Sequence, residues 1–303
     1  YEPMAAALAH RFHSVAFDYR GHGDTPRPDG PVDWERYGDD AEAMARWMAV
    51  ANGSPIVAFG HSMGGACLLM AAARAPELFR HLVVFEPIVF PPSQSDPAAN
   101  PLAGGARRRR ATFLTYEAAI ENFSAKPPMA RFTPEALEAY VRHGFAPDPA
   151  QGAGVHLKCH PETEAATFEM GPVHHTWDTL PSIDVPVTVV TGAVAPMQPS
   201  MIAAQVAERL PNATYLQLDN LDHFGPMVEP ATVAAIVASW TGIPLGRMVK
   251  DEIKTVLQLQ SLLDERILGQ SHATAAVAHK TAATAMTPTA YSTFWTTVLP
   301  ISR

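Results

Sequence analysis

The sequence has only two cysteines, Cys67 and Cys159, too few for a framework of disulfides. A chain of 303 residues is long enough to bury a sizeable core without one. The chain also lacks any run of about eighteen apolar residues, the length that crosses a membrane as a helix, and its first residues lack the pattern of a secretory signal. From these absences we expect a globular protein of the cytoplasm with no membrane partner.

Positive charge is scarce as well. Lys and Arg total 22 against 30 Asp and Glu, a net charge of -8, which argues against a nucleic-acid partner. The exception is the run Arg107–Arg110, which could bind an acidic substrate or partner but more often forms a solvated helix face. His156, Cys159 and His160 have no second cluster at zinc spacing, so we expect no metal site. No Gly-Lys pair occurs anywhere in the chain, so there is no P-loop, and we expect no cofactor.

Short apolar segments alternate with helix-like segments through most of the chain, which indicates a parallel sheet covered on both faces. The strand candidates are His13–Tyr19, Pro55–Gly60, His81–Pro87, Val185–Gly192 and Ala213–Asn220. Residues 91–180 break this rhythm: they are rich in proline, contain no good buried strand, and hold a helix candidate that begins after Thr133. We interpret this region as an insertion between two strands of the sheet.

The segment Gly60-His61-Ser62-Met63-Gly64 lies between a predicted strand and a predicted helix. A G-x-S-x-G sequence in this context is typical of a nucleophile elbow, a tight turn that holds a serine clear of the backbone. The amide of Met63 would then lie at a helix N-terminus, where it can bind an oxyanion. A serine hydroxyl needs a base, and His223 is the best placed of the 13 histidines because it follows the last strand candidate.

The motifs DYRGHGDT, GHSMGG and LDHFGPMVEP, in this order and spacing, resemble the α/β-hydrolase superfamily over residues 1 to about 235. In the commonest arrangement of that superfamily, the triad acid follows the strand that ends here at Gly192, but this sequence has alanines there. A second known location, used by haloalkane dehalogenases, is the end of the strand after the nucleophile helix, and Glu86 stands in that place. We predict Glu86 as the acid, with Asp222 and Asp219 as weaker substitutes.

Both ends of the chain depart from the superfamily. Its sheet normally contains further strands before the first helix, including a central one whose His-Gly loop supplies a second oxyanion donor, so the sequence predicts a fold without its first strands. Trp240–Ala278 resembles the segment of ClpB- and ClpV-type AAA+ disaggregases that leads into their second ATPase module, including WTGIP and ILGQ. Within it, Val249–Leu268 is amphipathic enough to form a helix.

These observations predict an α/β-hydrolase fold: a mostly parallel sheet with helices on both faces, a core at 1–90 and 181–240, a helical cap at 91–180, and a helical Clp-like fragment with an unassigned tail at 241–303. The expected activity is cleavage of a small-molecule carboxylic ester, with the aromatic residues of the cap forming an apolar pocket wall. Those residues are Phe113, Tyr116, Phe123 and Phe132. A carbon-carbon bond hydrolase, a cofactor-free haloperoxidase and an inactive fragment that serves as an interaction module remain alternatives; any protein partner is unknown.

Overall fold

The structure, a computed structural model, describes residues 1–27, 29–92, 100–148, 152 and 154–239, together with the backbone of a strand at 291–296. The helices are α1 (Glu2–Leu8), α2 (Trp34–Asn52), α3 (Met63–Arg74), α4 (Pro101–Arg108), α5 (Tyr116–Ser124), α6 (Pro134–Gly144), α7 (Pro161–Met170), α8 (Thr176–Thr179), α9 (Ser200–Arg209), α10 (Gly225–Val228) and α11 (Pro230–Ser239). The strands are β1 (Phe12–Phe17), β2 (Ile56–His61), β3 (Phe79–Phe85), β4 (Thr112–Phe113), β5 (Phe145–Pro147), β6 (Val155–Leu157), β7 (Val187–Thr191), β8 (Ala213–Gln217) and β9 (Tyr291–Thr296).

Six strands form one parallel sheet in the order β1-β9-β2-β3-β7-β8. Side chains of β2 alternate between the two faces: Ile56 and Ala58 pack in the cluster that includes α2, α3 and α9, whereas Val57 and Phe59 pack in the cluster that includes α1 and α11. Both faces are therefore buried, as the apolar strands require. The predicted α/β-hydrolase fold is confirmed.

An interior place in the sheet is filled by a strand that the sequence analysis did not assign. Strand β9 lies between β1 and β2 and pairs in parallel with both, with Phe12 opposite Tyr291 and Gly60 opposite Thr296. The place where the superfamily resemblance predicts a missing strand is thus taken by a segment of the tail. The Clp-like segment Trp240–Ala278, with its predicted helix, lies outside the described residues.

The insertion between β3 and β7 contains helices α4 to α8, as expected, but also three strands that the sequence pattern did not reveal. Strands β4, β6 and β5 form a small antiparallel sheet. With two or three residues each, they are too short to show a period-2 pattern. No helix within the described part of the chain has the length and apolar character to span a membrane.

Candidate active site

Ser62 occupies the turn between β2 and α3 with a strained backbone, φ 58° and ψ -120°. The turn is tight: a Cβ built on Gly60 would lie 2.5 Å from the carbonyl oxygen of Gly64, so only glycine fits there. The Ser62 amide donates to the Phe85 carbonyl oxygen at 2.9 Å, which fixes the turn against β3. The Ser62 side chain makes no capping hydrogen bond to α3, so its hydroxyl remains available for another partner.

That partner is His223, from the loop between β8 and α10. Its Nε2 lies 3.2 Å from Ser62 Oγ, and its Nδ1 lies 2.7 Å from Glu86 Oε2. Since an ionised carboxylate only accepts hydrogen bonds, Nδ1 carries the proton and donates to Glu86. The Nε2 lone pair then faces the Ser62 hydroxyl, which donates to it. The three side chains predicted for the triad therefore form one continuous hydrogen-bonded chain.

Glu86 follows the last residue of β3 and is completely buried. Its Oε1 accepts hydrogen bonds from Thr191 Oγ1 at 3.0 Å and from the Gly192 amide at 2.9 Å, while Oε2 faces the imidazole. The Gly192 amide reaches it because the backbone packs closely here: a Cβ on Gly192 would lie 2.5 Å from the Leu221 carbonyl oxygen. Fixed donors therefore orient the carboxylate and offset the cost of burying it.

The two substitute carboxylates have other partners. Asp222 forms an ion pair with Arg131 and accepts a hydrogen bond from the Phe224 amide at 2.9 Å. Asp219 accepts from the side-chain amide of Gln217 at 2.6 Å. Because the proton on His223 Nδ1 points at Glu86, the geometry favours Glu86 over both alternatives.

His61, which the sequence analysis treated only as part of the elbow, contacts the backbone of His223. Its Nε2 lies 2.7 Å from the His223 carbonyl oxygen, so Nε2 carries a proton and donates it. Burial, and then the neighbouring His223, lowers the pKa of His61 well below its ordinary 6.5, so the ring is neutral and Nδ1 accepts the Tyr1 hydroxyl at 2.6 Å. No local sequence signal reveals this contact, because it joins residues from opposite ends of the core.

Ser62, Met63 and His223 open into a cavity of about 1460 Å³ between the sheet and the cap. Of the four aromatic residues predicted to line the pocket, only Phe123 does so. Phe113 and Tyr116 pack in the apolar cluster inside the cap, where Phe113 meets Phe123 with ring centroids 5.6 Å apart. Phe132 lines a different cavity of about 540 Å³. The insertion buries these aromatic residues in an apolar cluster that Met227 of α10 also joins.

The predicted absence of a metal site concerned His156, Cys159 and His160. Among the described residues, no group of three or more His, Cys, Asp or Glu side chains is arranged to hold a metal ion. His160 instead caps α7, where its Nδ1 accepts from the Glu162 amide at 3.2 Å. Burial raises the pKa of Cys159 to about 12, and it also raises the pKa of Cys67, so both thiols remain protonated.

Comparisons with known proteins identify the family of the chain. Residues 1–236 match the model of the alpha/beta hydrolase family. The chain is 24% identical over 233 residues, 76% of its length and 78% of the relative's, to 2-(acetamidomethylene)succinate hydrolase of Mesorhizobium japonicum. The crystal structure of E-2-(acetamidomethylene)succinate hydrolase superposes with a TM-score of 0.66 at 22% identity, covering 79% of this chain and 85% of that one.

A separate segment is similar to Clp proteins. The chain is 51% identical over 55 residues to the AAA+ ATPase ClpV1 of Pseudomonas aeruginosa, a match that covers 18% of this chain and 6% of that protein. It therefore spans only a small part of the Clp relatives, and the resemblance there is to a fragment. The hydrolase match, in contrast, spans most of the chain and includes Ser62, Glu86 and His223. The chain belongs to the alpha/beta hydrolase family.

Proposed function

We propose that the protein is a serine hydrolase that cleaves carboxylic esters of small molecules through an acyl-enzyme. The observation that carries the proposal is the hydrogen-bonded chain from Glu86 through His223 to Ser62, with distances of 2.7 and 3.2 Å. A buried carboxylate, an imidazole and a strained serine in this order are the parts that nucleophilic acyl transfer requires.

The proposed reaction assigns a role to each of the three residues and to the Met63 amide. Ser62 Oγ attacks the ester carbonyl carbon while His223 Nε2 takes its proton, and the Met63 amide at the start of α3 stabilises the oxyanion. The tetrahedral intermediate collapses when the carbon–oxygen bond to the alcohol breaks and His223 protonates the departing oxygen. Water, deprotonated by the same imidazole, then attacks the acyl carbon. The bond to Ser62 Oγ breaks as His223 returns the proton to that oxygen, which releases the acid and free Ser62. Glu86 stabilises the imidazolium in both halves.

A second candidate reaction is cleavage of a bond other than an ester with the same three residues, such as a carbon-carbon bond next to a carbonyl group. The compound in the name of the Mesorhizobium relative, 2-(acetamidomethylene)succinate, contains no ester bond. This observation favours keeping the alternative. A cofactor-free haloperoxidase would use the same triad. We put ester cleavage first because it needs only the nucleophile, base and acid that Ser62, His223 and Glu86 supply.

The test is covalent labelling. A fluorophosphonate probe should modify the purified protein at a single site, Ser62, and a panel of p-nitrophenyl esters should be hydrolysed with saturation kinetics. Ser62→Ala should remove both labelling and turnover, whereas Ser54→Ala, at an exposed serine away from the site, should change neither. Absence of labelling and of turnover in the unmodified protein would instead support the inactive-fragment alternative. Labelling without ester turnover would favour the carbon-carbon alternative.

His61 offers a milder prediction. Replacing it with phenylalanine leaves the buried His223 carbonyl oxygen without its donor, a loss typically worth about 1–3 kcal/mol. We expect kcat to fall by roughly tenfold as the imidazole loses its fixed position, with the melting temperature lowered by several degrees. His61→Gln, which keeps an N–H donor, should retain more of both. Equal kinetics in the phenylalanine and glutamine variants would show that His61 does not position His223.

A further inference from the structure

The cavity that contains Ser62 is positively charged, although the chain as a whole carries a net charge of -8. Its described lining includes four cationic side chains and no aspartate or glutamate. The cations are Arg108, Arg109, Arg110 and Lys126. Three of the four come from the arginine run, which begins in the last turn of α4 and ends in the short link before β4.

The arginines of this run have different environments. Arg107 does not line the cavity and is neutralised by Glu162 at 3.0 Å and Glu169 at 2.7 Å. Arg109 is buried, and its Nη1 donates to both oxygens of Glu164, at 2.7 and 2.6 Å. These two positions therefore have structural partners. The prediction of a solvated face fits Arg107, Arg108 and Arg110, which are exposed, but not Arg109.

Of the three remaining cations of the cavity, Arg110 and Lys126 have neutral partners. Arg110 Nε donates to the Thr112 carbonyl oxygen at 2.9 Å, and its guanidinium lies 4.4 Å from the centre of the Phe113 ring. Lys126 Nζ donates to Asn122 Oδ1 at 2.6 Å. Within the described part of the chain, neither of them nor Arg108 forms an ion pair with a carboxylate. Three positive charges at this cavity are thus left without a described counter-charge.

We propose that the substrate carries a carboxylate in addition to the bond that is cleaved, and that Arg108, Arg110 and Lys126 bind this carboxylate. The inference rests on the proposed function and specifies its substrate class. A guanidinium presents a planar fork that matches a carboxylate, and it also binds phosphate, so the shared chemistry is recognition of an anion. The apolar walls supplied by Leu102 and Phe168 reduce screening and strengthen the attraction.

The experiment compares two esters of the same size. The mono-p-nitrophenyl ester of glutaric acid carries a terminal carboxylate, and the corresponding ester of glutaramic acid carries a neutral amide in its place. We expect kcat/KM for the charged ester to exceed that for the neutral one by at least about tenfold at low ionic strength, mainly through KM. The ratio should fall as salt is raised. A third ester with a terminal phosphonate tests whether the site prefers carboxylate over phosphate-like anions.

Variants connect the preference to the named residues. The double variant Arg108→Gln/Arg110→Gln and the single variant Lys126→Gln should each move the charged-to-neutral ratio toward one. Arg107→Gln is the matched control, because it belongs to the same run, is also exposed and removes one charge, but it does not line the cavity. The control should keep the ratio of the unmodified protein. Circular dichroism verifies that each variant is folded.

The outcomes separate this inference from the proposed function. If both esters are hydrolysed at the same kcat/KM, or if Arg107→Gln lowers the ratio as much as the other variants do, the carboxylate site is wrong while the serine mechanism stands. A phosphonate ester that outperforms the carboxylate overturns the choice of carboxylate. If no ester is hydrolysed, calorimetry with glutarate on the Ser62→Ala protein decides: binding that Arg108→Gln/Arg110→Gln removes supports the site, and no binding overturns it.

Discussion

Replacing Glu86 with glutamine should lower kcat for ester hydrolysis on the order of 10³- to 10⁴-fold while the protein stays folded. The reason is the fixed Gly192 amide, which donates to Glu86 Oε1 at 2.9 Å and would draw the carbonyl oxygen of the new side chain toward itself. The glutamine NH2 group would then face His223 Nδ1 and require it to accept a hydrogen bond. The imidazole proton would move to Nε2 and point at Ser62, so the base could no longer accept the serine proton.

The matched control is Asp222→Asn, an equally conservative change in the loop that carries His223. Asp222 pairs with Arg131 at the surface, so we expect less than a threefold change in kcat. Steady-state kinetics on a p-nitrophenyl ester, with circular dichroism on each variant, provide the measurement. Nearly full activity in Glu86→Gln, or a greater loss in Asp222→Asn, would transfer the role of the acid away from Glu86.

Acidification should destabilise the protein steeply below about pH 6.5 because it contains several histidines buried in the neutral form. Burial lowers the pKa of His81 and of His174 to about 4, places that of His61 well below the ordinary 6.5, and also lowers that of His22. Below pH 6.5 the unfolded chain takes up protons at these positions before the folded chain does. The free energy of unfolding is therefore not reduced by these histidines above about pH 6.5, and it declines as the pH falls toward about 4.

The expected dependence of the free energy of unfolding on pH is steep. Each such imidazole contributes at most about 1.4 kcal/mol per pH unit, so the upper limit for four of them is about 5.5 kcal/mol per unit, where all four differ in protonation between the two states. Burial raises the pKa of Glu164, which acts in the opposite direction over part of this range, but it is one group against four. Urea unfolding, followed by tryptophan fluorescence at about pH 7.5, 6.0 and 5.0, measures how the free energy of unfolding changes with pH.

Two variants test whether the buried histidines cause the pH dependence of the free energy of unfolding. His174 donates from Nε2 to the Ile88 carbonyl oxygen at 2.8 Å, and His174→Gln keeps a donor there without the titration, so the slope should flatten by about a quarter. His10→Gln, at an exposed position after α1, should leave the slope unchanged. A free energy of unfolding that stays constant between about pH 7.5 and 5 would show that the buried imidazoles do not control acid stability.

The central part of the site was predictable from the sequence because local backbone chemistry specifies it. The glycines around Ser62 indicate the elbow, and the positions of His223 and Glu86 after strand candidates place both at the carboxyl edge of a parallel sheet. The contact of His61 with the His223 carbonyl was not predictable, since it depends on how the end of β2 packs against the loop that carries His223. The same holds for Arg109, whose burial depends on Glu164 from another helix.

The fold, too, was predictable from the sequence only in part. The alternation of apolar strands and amphipathic helices predicted the parallel sheet and its two helical layers, but it contains no information on the order of the strands. The segment YSTFWT at 291–296 is rich in the aromatic and β-branched residues that favour strands, so its strand character was detectable. Its place between β1 and β2 was not, because pairing partners so distant in sequence are selected by the whole fold. The three short strands of the cap left no periodic signal.

The position of β9 also has a consequence for the order of events during protein synthesis. Among the described strands, β1 joins the rest of the main sheet only through β9, which begins at Tyr291, whereas β8 already ends at Gln217. A nascent chain on the ribosome that has emerged as far as β8 still lacks the strand that attaches β1. Bringing partners so far apart into register is entropically costly and slow. Until that step is complete, the edge of β2 has no strand paired to it, and an unpaired edge of this kind favours pairing with other chains.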